Sequence, residues 1–150
     1  MDKVKIVKKG SCSLQKLFED LKRSPEAFRC GAIACFIGIV RGEGRRGGRV
    51  QKLVYKAWEE EALKALEQIR EETLRENRGA RDLLIYHVVD ELEPGDETLY
   101  ILALGEHRGD ALNAVSQALD KVETKPPIWK KEVTDKGEYW LRKPNGRLVE

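Results

Sequence analysis

No stretch of the sequence stays apolar for the length a bilayer span needs, and the first ten residues, MDKVKIVKKG, lack the apolar core of a secretory leader. Cysteine is sparse. Cys12, Cys30 and Cys35 are odd in number and never spaced C-x-x-C, so neither a disulfide framework nor a zinc site follows. Charge of one sign is missing too: 28 lysines and arginines face 26 acidic residues, and a formal net charge of +2 does not announce a nucleic-acid surface. Asparagine, glutamine and methionine are scarce, a balance met in heat-adapted proteins. No internal repeat or low-complexity linker divides the chain, so residues 1–150 are expected to form one domain. These absences leave a soluble, highly charged protein of a reducing cytoplasm, with neither membrane nor nucleic acid among its partners. Cys30 and Cys35 lie in the apolar CGAIACFIGIV and are expected to be buried, inert thiols.

What is present reads as interleaved strands and helices. KVKIV alternates charged and apolar residues, as a short strand does. SLQKLFEDLKR sets Leu14, Leu17, Phe18 and Leu21 at helical spacing, with Ser13 as N-cap and Pro25 beyond the end. GAIACFIGIV is expected as a buried strand, and RGEGRRGGR, about residues 41–49, as a flexible Gly/Arg loop. VQKLVYKAW follows as a strand with Leu53 and Tyr55 on one face and Val54 on the other. The clearest helix starts at EEEALKAL: Ala62, Leu66, Ile69 and Thr73 form one stripe, acidic residues lead its first turn, and Gly79 lies past its end. RDLLIYHVV and ETLYILAL read as strands around the Pro-Gly turn of DELEPGD. A third helix, HRGDALNAVSQALDKVE, turns Ala111, Val115, Ala118, Leu119 and Val122 inward, and PIWKKEV with EYWLRK closes the chain as a hairpin around TDKG. The order lacks strict βα alternation. It predicts an α+β fold with mixed and antiparallel strands and three main helices.

Three basic groups stand at positions where an anion could be held. Arg41 ends a strand and opens the glycine-rich loop. His107 and Arg108 end another strand and begin a helix, where free amides already favour negative charge. Lys130 and Lys131 follow ETKPPIW, in which Pro126 and Pro127 fix two φ angles and hold the segment extended. Extended backbone sends Ile128 and Lys130 one way and Trp129 and Lys131 the other. From the residues alone, each lysine is either a positioned, desolvated amine or an ordinary strand lysine whose stem packs on an aromatic ring.

Other candidates carry less. GEGRRGG lacks the spacing of a phosphate loop, and Glu59, Glu60 and Glu61 read as a helix start. His87, between apolar neighbours, reads as a core histidine. A nucleic-acid domain built on the arginine loop lacks interleaved aromatics.

Taken together, the F-x-G-x-V-R element from Phe36 to Arg41, the YKAWEEEALKAL junction, the pair His107 and Arg108, and P-x-W-K-K-E from Pro127 to Glu132 resemble the large, catalytic subunit of molybdopterin synthase (MoaE-like). The resemblance runs from about GAIACFIGIVR to GEYW. It implies an α/β-hammerhead fold, a homodimer, and a heterotetramer with two small ubiquitin-like sulfur-carrier subunits ending in a Gly-Gly thiocarboxylate. It also implies sulfur transfer to cyclic pyranopterin monophosphate, forming the dithiolene of molybdopterin, with no metal or other cofactor on the large subunit. Lys130 would be the catalytic lysine; Arg41, His107, Arg108, Lys131 and Glu132 would line the substrate site. One position departs from the pattern. Seven residues before Lys130 the family carries a second lysine, and here stands Glu123. Either Lys125 substitutes for it, or the protein is an impaired paralogue that binds the carrier without turnover.

Overall fold

The largely apolar run LLIYHVV becomes the interior of a sheet covered on both faces, which is why its residues are apolar without alternation. In a computed structural model describing residues 2–142, the elements follow as β1 (Val4–Val7), α1 (Leu14–Lys22), a 3₁₀ turn (Pro25–Arg29), β2 (Ala32–Ile39), β3 (Val50–Ala57) and α2 (Glu59–Glu76). They continue as β4 (Ala80–Val88), β5 (Glu91–Leu92), β6 (Glu97–Gly105), α3 (Arg108–Val122), β7 (Ile128–Thr134) and β8 (Gly137–Arg142). Lys143, the last residue of the expected closing strand, lies outside the described residues.

Two four-stranded sheets result, ordered β1-β4-β6-β2 and β5-β3-β7-β8. Every pairing is antiparallel except β1 with β4. The expected α+β architecture with three main helices is the one observed. On one face of the first sheet, Leu83, Ile85, Ile101 and Ala103 pack with Leu66 and Ile69 of α2 and with Ala111, Ala114, Val115 and Ala118 of α3. On the other face, Leu84, Tyr86, Leu102 and Leu104 meet Leu17 and Leu21 of α1, Leu53 of β3 and Leu141 of β8. The predicted stripe Ala62, Leu66, Ile69 and Thr73 is the buried face of α2, and Ser13 caps α1 by accepting from the Lys16 amide. Gly105 is required where β6 turns into α3, since a Cβ there would stand 2.6 Å from the Ala111 nitrogen.

Two expectations are corrected. β2 is not a buried strand: among the described residues it pairs only with β6, at the sheet's edge, leaving Cys35 exposed and Cys30 only partly buried. Residues 41–49 form a tied hairpin rather than an open loop. Glu43 bridges Arg49, the Gly44 amide donates to the Gly48 carbonyl, and the Arg45 and Arg49 amides donate to the carboxylates of Glu132 and Asp135. Gly47 and Gly48 make the turn with φ of 83° and 81°, which side chains with a Cβ rarely adopt.

Asp82 anchors the termini of several elements. Its carboxylate accepts from Lys3 Nζ at 2.8 Å, Arg70 Nη2 at 2.8 Å, Ser24 Oγ at 2.7 Å and the Leu83 amide at 2.9 Å. Burial alone would raise its pKa, but these donors outweigh it and hold the carboxyl below the usual range. Asp82→Ala leaves Arg70 and Ser24 without their acceptor, and the expected loss is about 3–5 kcal/mol of unfolding free energy by denaturant titration. Because the folded-state pKa is depressed, this stabilisation is complete above the unfolded value of about 3.9 and fades as pH falls through the folded value. An acid-unfolding midpoint unchanged in Asp82→Asn would contradict it.

Candidate active site

The second sheet carries a row of side chains across three strands. Tyr55 pairs with Lys130, and Lys130 with Arg142, so all three leave the same face. That face, the end of the first sheet at Gly38, Thr98 and Leu99, and the end of α3 at Val122 and Glu123 enclose a cavity of about 240 Å³. Arg41, Arg45, Lys130 and Arg142 face it as cations; Glu43, Glu123 and Glu132 face it as carboxylates. Four positive groups against three negative leave one positive charge in excess. A cavity of this sign suits an anionic ligand.

Lys130 is a positioned amine. Burial lowers its pKa from the ordinary lysine value; Glu123 works against that, and Arg45 and Arg142 add to it. Its Nζ lies 5.9 Å from the Tyr55 ring centroid. Burial pushes the Tyr55 hydroxyl up to about 12, while a hydrogen bond with Thr98 acts in the opposite direction. His87 stands edge-on to Tyr55, with centroids 5.2 Å apart. Its Nδ1 donates to the Val88 carbonyl at 2.9 Å, which places the proton on Nδ1 because a carbonyl only accepts. Burial lowers its pKa to about 4, so the ring is neutral at physiological pH. It is the satisfied core histidine the sequence suggested, 5 % exposed, and it also forms a neutral wall of the cavity.

The proline segment fixes the lysine from behind. The Trp58 amide donates to the Pro127 carbonyl at 3.2 Å, and Trp129 packs edge-on against Trp58 with centroids 5.9 Å apart. Trp129 thus clamps the strand on the face away from Lys130; the aromatic beside the amine is Tyr55.

Of the residues expected at the site, Arg41, Lys130 and Glu132 meet in this cavity. Glu132 is 6 % exposed and accepts from the Arg45 amide at 2.9 Å. Lys131 does not join them. Strand alternation turns it to the opposite face, where its Nζ lies 5.7 Å from the Trp140 ring and 3.6 Å from Glu138. Lys125 does not join them either. The chain past α3 turns its amine toward α2, to Glu72 at 3.4 Å. Lys125→Ala is therefore expected to leave any turnover at this cavity unchanged; a loss of more than about tenfold would return this residue to the site. His107 and Arg108 stand at the far end of β6, separated from Leu99 at the cavity by six extended residues, roughly 20 Å. There His107 stands at the N-cap of α3, its amide and its ring Nδ1 both donating to Asp110 Oδ2, at 3.1 and 3.3 Å.

Tyr55, Arg45 and Arg142 escaped the reading of the sequence. Their membership depends on strand register and on the fold of the 41–49 hairpin, for which no local pattern stands as a signal.

Fold and site together define a two-sheet α+β protein with a small basic cavity built around one half-buried lysine. The family model described as "MoaE protein" matches residues 7–125, and the chain belongs to this family. The molybdopterin synthase catalytic subunit of Pyrococcus abyssi is 41% identical over 111 residues, covering 74% of each chain. That of Bacillus subtilis is 35% identical over 123 residues, covering 82% of this chain and 77% of the other. Among solved structures, molybdopterin synthase from Staphylococcus aureus superposes with a TM-score of 0.80 at 28% identity, covering 93% of this chain and 97% of that one.

Proposed function

We propose that the protein is the catalytic subunit of a molybdopterin synthase, a sulfurtransferase of molybdenum cofactor biosynthesis. Sulfur passes from the C-terminal thiocarboxylate of a small ubiquitin-like carrier to cyclic pyranopterin monophosphate. The observation that carries this reading is the half-buried Lys130 in a cavity with a net positive charge, within a chain of the matching family. Donor and acceptor are both anions, and cations fixed around the cavity reduce their repulsion and stabilise charge that develops at the reacting centre. Lys130 is the group that meets this charge, as a cation and proton donor. Arg41 and Arg45 bind the substrate's phosphate or the entering tail, and Glu132 holds the Arg45 backbone in place. The three free cysteines accord with a cytoplasmic setting.

His107 and Arg108 enter this reading through a homodimer. The free edge of β2 is apolar and eight residues long, the kind of edge that a second strand covers. In β2, Ala32 pairs with Gly105 near His107, while Ile39 pairs with Glu97 near the cavity. Two β2 strands joined antiparallel about a twofold axis bring His107 and Arg108 of one copy to the Arg41 end of the other. Two carriers on such a dimer make the heterotetramer. The test is direct: the protein is mixed with a thiocarboxylated carrier and cyclic pyranopterin monophosphate, and product is followed by oxidation to a fluorescent pterin. Carrier binding without product would favour the impaired paralogue, which no observation on the relatives supports.

A further inference from the structure

Arg142 is 4 % exposed, yet its side chain lines the cavity. Its Nη1 donates to the Val122 carbonyl at 3.4 Å and its Nη2 to the Pro126 carbonyl. The Nε–H has no acceptor among the described residues. A guanidinium out of water is costly unless its charge and donors are met, and a carboxylate is the usual means. Here the two anchors are neutral carbonyls, and Glu123 acts on the guanidinium through space. Arg142 also sits beside Lys130 in the cross-strand row, on the same face.

We propose that Arg142 is an anion-binding residue of this cavity, its Nε–H donating to an oxygen of a carboxylate or phosphate held between it and Lys130. The two carbonyl anchors fix the guanidinium beforehand, so binding orders no further side-chain freedom. Glu123, at the last turn of α3, is the counter-charge that limits the positive excess while the cavity is empty of anion. Both kinds of oxygen exist in the synthase reading, on which this inference rests: the substrate's phosphate and the carrier's terminal carboxyl.

The test uses the full-length protein with Arg142→Lys and Arg142→Met. Each is titrated with inorganic phosphate and with the carrier in its carboxylate form, alongside wild-type turnover. One charge-assisted donor lost is expected to weaken binding of one of the two by at least about tenfold. Weakened phosphate binding assigns the residue to the pterin substrate; weakened carrier binding assigns it to the tail. Both affinities within about twofold of wild type, at an unchanged melting temperature, overturn the proposal. Should Arg142→Met unfold for want of its carbonyl bonds, Arg142→Lys decides, since it keeps the charge and lacks the Nε–H. Absent wild-type turnover counts against the synthase reading alone, because neither titration depends on it.

Discussion

Lys130→Ala is expected to lower the turnover of sulfur transfer about 10²- to 10³-fold while leaving carrier affinity nearly unchanged. The amine is desolvated, has no direct ion pair among the described residues, and stands on a strand held by two prolines and a Trp58–Trp129 contact. Its free energy of interaction is therefore available to charge that appears during reaction rather than to a partner present beforehand. Arginine cannot replace it as a proton donor, so Lys130→Arg should recover little of the rate. The pH dependence follows from its lowered pKa. The charged form is present at low pH and is lost as pH rises, at a lower pH than the value of about 10.4 for a free lysine. The alkaline limb of kcat should fall correspondingly early. Glu123→Gln removes the carboxylate that favours the ammonium form and should move that limb to lower pH still. A limb unmoved by Glu123→Gln, or near-normal turnover in Lys130→Ala, removes Lys130 from the chemistry.

The second expected result is complementation between two inactive proteins. Lys130→Ala and the double variant His107→Ala/Arg108→Ala should each be nearly inactive as pure homodimers. Mixed in equal amounts and allowed to exchange subunits, half of the dimers become hybrid, and each hybrid holds one intact site. Activity should rise to about a quarter of wild type. The distance along β6 underlies this: His107 and Lys130 of one chain cannot touch one small ligand across roughly 20 Å. A mixture that stays inactive despite demonstrated exchange would place all the groups within a single chain, or the pair outside the site.

The departure at position 123 takes a different shape in three dimensions from the one its sequence suggests. As a carboxylate in place of a family lysine it reads as a loss. In the fold it lies opposite the half-buried Lys130 and the buried Arg142, and works against the lowering of both pKa values by burial. The local charge is thus a matter of the cavity as a whole. Lys125, two residues on, is turned aside by its pairing with Glu72.

Much of this protein was determined by local sequence. Periodicity located the stripe of α2, Ser13 marked the start of α1, and the Pro-Pro-Ile-Trp run dictated both the extended backbone and the opposite facing of Lys130 and Lys131. These are decided by bonds and contacts within a few residues, which a linear pattern records. Tertiary structure alone decided the rest. β2 became an exposed edge because sheet order, not strand composition, assigns neighbours. The Gly/Arg segment became a tied hairpin because Glu132 and Asp135, some 87 and 86 residues on, accept from its amides. Lys130 acquired its lowered pKa only when the fold partly buried it, with Arg45 and Arg142 brought close enough to add to the effect. Burial and charge act through space, and a sequence written in one dimension carries no record of those distances.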